Sequence, residues 1–243
     1  MIDIHCHILP GFDDGAADLR EAQIMAAMAA DSGVDGIIAT PHFRGTADTA
    51  RQDVAVIDRL FEALQREFTR ADLPLTLYKG AEILCLPETP ELASKGLLPT
   101  LAGTRYLLTE FYFDEDLDSM SERLAELAAC GLVPVVAHPE RYGAIQRDPR
   151  RLFDWFDTGY VLQLNKGSLL GAFGQRVQQA AAFMLDNGIA HLIASDAHGV
   201  DQRTPHMEAL RDHLEEHYDP EYVRILLRRN PRRLVEDRPM VPA

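Results

Sequence analysis

Asp3-Ile4-His5-Cys6-His7 closes a short apolar run at the start of the chain, and the fold turns on how this stretch is read. In an extended strand, side chains two apart point the same way, so His5 and His7 are placed to reach one metal ion. Two histidines at that spacing also arise as ordinary core or surface residues. The metal reading therefore rests on what recurs further along the chain, at the ends of later apolar runs.

Short apolar runs alternate with amphipathic stretches, the pattern of repeated βα units around a parallel sheet. Runs bounded by turn residues predict seven strands, at 1–5, 36–40, 75–80, 105–110, 133–138, 160–165 and 190–195. Helices are expected at 18–32, 49–70, 117–130, 149–156 and 173–187, then at 205–217 and 220–229, followed by a Pro-rich tail. Gly33, Gly131 and Gly188 stand where helix C-caps belong. Such strands either close into an irregular barrel or lie open as a doubly wound sheet, and in both the functional groups collect at the strands' C-terminal ends.

Placed on that map, the metal-competent residues share one mouth. His5 and His7 end the first strand, His42 follows the second, Glu82 the third, and Glu110 ends the fourth. His138 ends the fifth, while Asp196 and His198 end the seventh. Singly, each has a plain explanation as a turn, cap or solvated group; a mixture of imidazoles and carboxylates on almost every strand does not. With Asp14 in the loop Gly11-Phe12-Asp13-Asp14-Gly15, the five histidines and four carboxylates exceed the ligands of one tetrahedral ion, so two or three metals are expected. Nitrogen and oxygen donors without Cys suit Mn, Fe or Zn, with Mn favoured by the oxygen share. Arg141 and Arg203 lie close enough in sequence to His138 and His198 to grip phosphate oxygens at that mouth.

Composition bounds the remaining possibilities. The 243 residues are 47% hydrophobic and 26% charged, with no linker or low-complexity segment, which points to one domain over 1–243. A net charge of -14 argues against nucleic acid or an anionic membrane surface as partner. No apolar run is long enough for membrane insertion, and three cysteines without C-x-x-C spacing fit a reducing cytoplasm. A cysteine-nucleophile phosphatase is excluded, because the residues six beyond Cys6, Cys85 and Cys130 are Phe12, Glu91 and Val136 rather than Arg. His213-Leu214-Glu215-Glu216-His217 matches the H-x-x-E-H pattern of inverted zinc proteases, but sits on a polar helix without a third ligand and reads as a solvated face. His191 and His206 read as structural or surface residues.

Taken together, Met1 to Gly15, Ala39-Thr40-Pro41-His42, Gly80-Ala81-Glu82, His138-Pro139-Glu140-Arg141, Asn165 to Gly171 and Ser195-Asp196-Ala197-His198 resemble the polymerase-and-histidinol-phosphatase (PHP) superfamily. Within it the chain is similar to the tyrosine-protein phosphatases of bacterial capsule and exopolysaccharide loci. The resemblance implies a distorted (β/α)7 TIM-like barrel with a trinuclear centre. His5, His7, Glu82 and Asp196 would hold the first metal; bridging Glu82, Glu110 and His138 the second; Asp14, His42 and His198 the third. It also implies phosphate contacts from Arg141 and Arg203, hydrolysis by a metal-activated hydroxide, and the phosphotyrosine tail of a bacterial kinase as partner. Lys166 stands where a small residue is expected. Competing readings are a small-molecule phosphatase such as one for histidinol phosphate, an amidohydrolase with a carbamylated Lys bridge, and a catalytically silent interaction module.

Overall fold

The computed structural model describes residues 1–242. Nine parallel strand segments form it: β1 (Ile2–Cys6), β2 (Gly36–Ala39), β3 (His42–Phe43), β4 (Thr76–Lys79), β5 (Glu82–Leu84), β6 (Tyr106–Glu110), β7 (Val133–Ala137), β8 (Val161–Asn165) and β9 (Leu192–Ala194). They pair as a three-stranded sheet, β1-β2-β4, and a six-stranded sheet, β3-β5-β6-β7-β8-β9. Two of the seven expected strands are broken in two. Pro41 has no N–H to donate and interrupts the second strand between β2 and β3. At Gly80 and Ala81 the third strand is broken likewise, between β4 and β5. His42 and Glu82 thus open new segments instead of trailing old ones, and they pair with each other across the β3–β5 ladder.

The chain passes directly from one sheet to the other between β2 and β3 and between β4 and β5, and the ladders within each sheet run on past the strand ends: Thr40 N–H donates to Cys6 O at 3.0 Å, Gly80 N–H to Ala39 O at 3.0 Å, and Glu82 N–H to Pro41 O at 3.0 Å. On the other side Asp196 N–H donates to His5 O and His7 N–H to Ala197 O, both at 2.9 Å, and Cys6 bridges Ala197 in parallel. The architecture is a distorted parallel α/β barrel whose irregular joins all lie at the mouth.

Helices cover the outside much as their periodicity demands. Asp18 caps the helix Leu19–Asp31 by accepting from Glu21 N–H, and Asp116 caps Leu117–Ala129 by accepting from Ser119 N–H. Ala50–Arg70 and Gln175–Asp186 fall within two residues of expectation. Two places differ. The stretch 149–156 is a 3-10 turn, Pro149–Arg151, leading into the helix Leu152–Thr158. Beyond Pro220–Arg224 the chain stays helical through a π turn, Ile225–Arg229, and then Asn230–Val235, where a tail was expected. Leu226, Leu227 and Leu234 are buried there, so apolar contact rather than propensity extends the helix.

Strand alternation divides the barrel lengthwise. On β6, Tyr106 and Leu108 share a face with Glu110. Both apolar residues belong to a cluster with Ile4, Ile38, Val135, Ala137, Leu192 and Ala194, leaving Glu110 at the polar end. Beside this cluster, buried Asp3 accepts from Ser195 N–H at 3.0 Å and Ser195 Oγ–H at 2.5 Å, tying β1 to the chain just after β9. Asp3→Ala leaves the buried Ser195 N–H unpaired and its hydroxyl with only the long contact to His5 O at 3.4 Å, and unfolding in denaturant should show a loss of about 1 to 3 kcal/mol.

Candidate metal centre

All nine candidate ligands meet at the mouth, in four overlapping close groups: His7, Asp14, His42 and His198; His5, His7 and Asp196; His5, Glu82 and His138; His42, Glu82 and Glu110. Glu82 stands at the middle. Its Oε2 lies 3.3 Å from His5 Nε2, 3.2 Å from His7 Nε2 and 3.0 Å from His42 Nδ1, while Oε1 is 2.9 Å from His138 Nε2. Asp196 Oδ1 faces His5 Nε2 at 3.5 Å, His7 Nε2 at 3.6 Å and His198 Nδ1 at 3.5 Å. Glu110 Oε1 reaches His42 Nδ1 at 3.0 Å and does not share a close group with His138. Asp14 is the most exposed of the nine, and its Oδ1 lies 3.4 Å from His42 Nε2 and 3.6 Å from His198 Nε2.

A second layer of polar residues orients the imidazoles. His5 Nδ1 is held by Gln163 Oε1 at 2.9 Å and His7 Nδ1 by Asp13 Oδ2 at 2.7 Å. Each partner accepts a proton, so both rings carry N–H on Nδ1 and turn an Nε2 lone pair inward. Those two lone pairs face each other at 3.2 Å. In neutral rings no hydrogen bond joins these lone pairs; a proton on His5, as in the metal-free form, or a cation between them removes the repulsion. Likewise His198 Nδ1 donates to Asp196 O at 3.0 Å, leaving a buried Nε2 with no hydrogen-bond partner. Glu82 Oε2 and His42 Nδ1 are also unpartnered, close but out of line for hydrogen bonding. This donor set, buried, convergent and short of protein partners, fits divalent cations.

Charge tells the same story. Burial disfavours the imidazolium of His5, yet the Glu82 and Asp196 carboxylates outweigh it and raise its pKa to about 9. Burial is again overcome at His42, where Glu110 and Glu82 push it to about 11. His198, buried and beside His7, falls to about 4. Burial would raise the carboxyls of Glu82 and Asp196, but the surrounding imidazoles, with Arg203 at Asp196, hold both well below the usual range. In the metal-free form, protons on imidazole take the place of cations.

Sequence reasoning missed the orienting residues. Asp13, adjacent to the candidate ligand Asp14, also accepts from His42 N–H at 2.8 Å and Gly15 N–H at 3.0 Å. Gly15 is required by close approach: a Cβ there would lie 2.0 Å from His7 O. Asn165 Nδ2 donates to Asp196 Oδ2 at 2.5 Å, and in sequence it stood out only within the Asn165 to Gly171 stretch of the family resemblance. Three site residues, His138, Asp196 and Arg203, take positive φ of 35°, 51° and 46°, a strain that loop residues of these types do not announce in sequence.

Both arginines converge on this cluster. Asp196 Oδ2 accepts from Arg203 at 2.5 Å and Arg141 at 3.4 Å. All three lysines of the chain are engaged elsewhere: Lys79 with Asp58, Lys95 with Glu91, and buried Lys166 with the carbonyls of Thr204 and His206. None is placed to bridge metals as a carbamate. Lys166 instead ties down the loop that carries Arg203. His213 and His217 stack at 4.5 Å on the helix Glu208–His217, outside the cluster, and His191 is a half-buried acceptor for Leu162 N–H. Cys6 and Cys85 are buried in the apolar core.

Residues 1–236 match the family model for capsular polysaccharide synthesis proteins, CpsB/CapC. The chain belongs to this family. It is 34% identical to the tyrosine-protein phosphatase YwqE of Bacillus subtilis over 221 residues, covering 91% of this chain and 86% of the relative. It is 30% identical to the tyrosine-protein phosphatase CpsB of Streptococcus pneumoniae, covering 98% and 99%. A solved structure described as that of YwqE and CpsB, "unique metal-dependent tyrosine phosphatases", superposes with a TM-score of 0.89 at 32% identity over 100% of this chain and 97% of that one. A lactonase from Listeria monocytogenes, at TM-score 0.61 and 14% identity, shares the fold. The resemblance to capsule-associated phosphatases of the PHP superfamily is borne out.

Two outcomes are expected of metal binding. His5 and His42 carry protons at pH 7 in the metal-free form, and ligation needs their lone pairs. Calorimetry in buffers of different ionisation enthalpy should therefore show on the order of two protons released, with apparent affinity rising from pH 6 to 8. Asp13→Asn keeps the shape but weakens the grip on His7, and metal affinity measured by competition with a chelator should fall about 10- to 100-fold.

Proposed function

We propose that this chain, acting as a single domain in the cytoplasm, is a metal-dependent tyrosine-protein phosphatase of capsule or exopolysaccharide synthesis. Its substrate is a phosphotyrosine segment, the tail of a bacterial tyrosine kinase. The observation that carries this reading is Glu82, buried among four imidazoles at the same mouth where Arg141 and Arg203 reach Asp196.

We assign His5, His7, Asp14, His42, Glu82, Glu110, His138, Asp196 and His198 to three divalent metals, with Mn favoured by the oxygen-rich donors. When bound, such ions supply Lewis acidity to lower the pKa of water, and positive charge for a developing phosphorane-like centre. The four carboxylates leave a surplus of about +2 at a three-metal site, which draws a phosphate dianion into an otherwise acidic protein. Gln163 and Asp13 hold His5 and His7 in one tautomer, so the ligands need no reorganisation during turnover. Arg141 and Arg203 grip the non-bridging phosphate oxygens, where charge collects in phosphoryl transfer. A tyrosine leaving group, with an ordinary pKa of about 10, departs with little help from a proton donor.

The protein supplied with manganese should hydrolyse a phosphotyrosine peptide at least about 100-fold faster than Glu110→Ala does. Chelation should abolish turnover and thiol alkylation should leave it intact. Equal rates for the two proteins would overturn the reading. Faster turnover of histidinol phosphate than of the peptide would move the substrate to small phosphomonoesters.

A further inference from the structure

The mouth carries an aromatic feature that metal chemistry does not use. The Arg141 guanidinium is sandwiched between two rings, its Cζ 4.5 Å from the Phe113 centroid and 4.4 Å from that of Phe173. Phe113 in turn lies edge-on to the candidate ligand His138, with ring centroids 6.0 Å apart. Phe113 keeps 45% of its surface exposed and neighbouring Tyr112 keeps 55%, an apolar exposure that packing alone does not explain.

The arrangement is held in place from several sides. Phe113 O accepts from Gly143 N–H at 2.7 Å. The buried Tyr142 hydroxyl donates to Ala137 O at 3.0 Å and accepts from Phe111 N–H at 3.2 Å, locking the chain after β6 to the end of β7. Phe173 sits so close to Gly167 that a Cβ there would come within 2.8 Å of its ring. A guanidinium stacked on its flat faces keeps its N–H donors in the open plane, able to fork a phosphate.

Resting on the phosphatase reading above, we propose that Phe113 is a specificity-determining residue, the aromatic wall against which the ring of an aryl phosphomonoester packs while Arg141 holds its phosphate. An aryl group on a phosphate held by Arg141 would extend past His138 toward the exposed Phe113 ring; a short alkyl group on the same phosphate would not reach it. The site thereby favours phosphotyrosine over alkyl phosphates such as phosphoserine by contact with the leaving group. Phe173 has a different part: it steadies Arg141 and touches no ring of the substrate.

Phenylphosphonate and methylphosphonate, whose P–C bonds resist hydrolysis, separate these roles when titrated calorimetrically into the manganese-loaded protein. Wild type should bind the phenyl compound about tenfold more tightly. Phe113→Ala and Phe113→Leu, which also take one stacking face from Arg141, should weaken phenylphosphonate more than methylphosphonate so that most of that advantage is lost, and the kcat/KM ratio of phosphotyrosine to phosphoserine peptide should fall in step. Phe173→Ala should weaken both phosphonates in parallel. A phenyl advantage that survives both Phe113 substitutions, in variants that still turn over phosphotyrosine, overturns the inference alone. Wild-type protein that hydrolyses no phosphotyrosine peptide overturns the phosphatase reading and this inference with it.

Discussion

Everything at the mouth answers to the cost of burying carboxylates. Glu82 and Asp196 are each 1% exposed, and an isolated carboxylate at such depth is held only if positive charge comes with it. The protein brings imidazoles and two arginines, yet in their neutral form His5 and His7 turn their lone pairs, not their N–H groups, toward the acids. That choice is made by Gln163 and Asp13, which occupy the opposite ring nitrogens of His5 and His7. A cluster built for stability alone would present donors to its carboxylates. One that presents acceptors to acceptors is built around cations.

The barrel serves this arrangement through its irregularities. Regular parallel ladders run from β5 to β9, and the breaks fall between β2 and β3 and between β4 and β5, where His42 and Glu82 enter. Breaking a strand costs ladder hydrogen bonds, and here those breaks turn a ligand inward beside its neighbour. The positive φ values at His138 and Asp196 do similar work at the ends of β7 and β9, redirecting the chain as it leaves the sheet. Strain is concentrated where direction matters, and the Asp3–Ser195 pair ties the same end of the barrel together.

Electrostatics and shape divide the labour of recognition. The chain carries a net charge of -14, so affinity for a phosphate must be local. In the proposed reading, metal charge and Arg203 would supply it on one side, and Arg141, stacked between Phe113 and Phe173, on the other. Lys166, which looks out of place in sequence, never enters this balance: it is spent on the carbonyls of Thr204 and His206, fixing the loop from which Arg203 reaches back.

The amino-acid sequence by itself determined the alternation of strands and helices, the end of the barrel that holds the site, and the nine residues brought together there. These follow from local periodicity and from strand ends, where chemistry-bearing residue types stand out against apolar runs. Helix ends followed by a glycine, Gly33, Gly131 and Gly188, were legible for the same reason, and all three take positive φ. Tertiary structure alone decided which atoms face one another. Gln163 lies 158 residues from the histidine it orients, Asp13 is indistinguishable in sequence from Asp14, and the Phe113–Arg141–Phe173 stack draws on three separate loops. Local sequence encodes backbone preference and burial; the direction of a lone pair or the face of a ring depends on partners that only folding brings within a few ångströms.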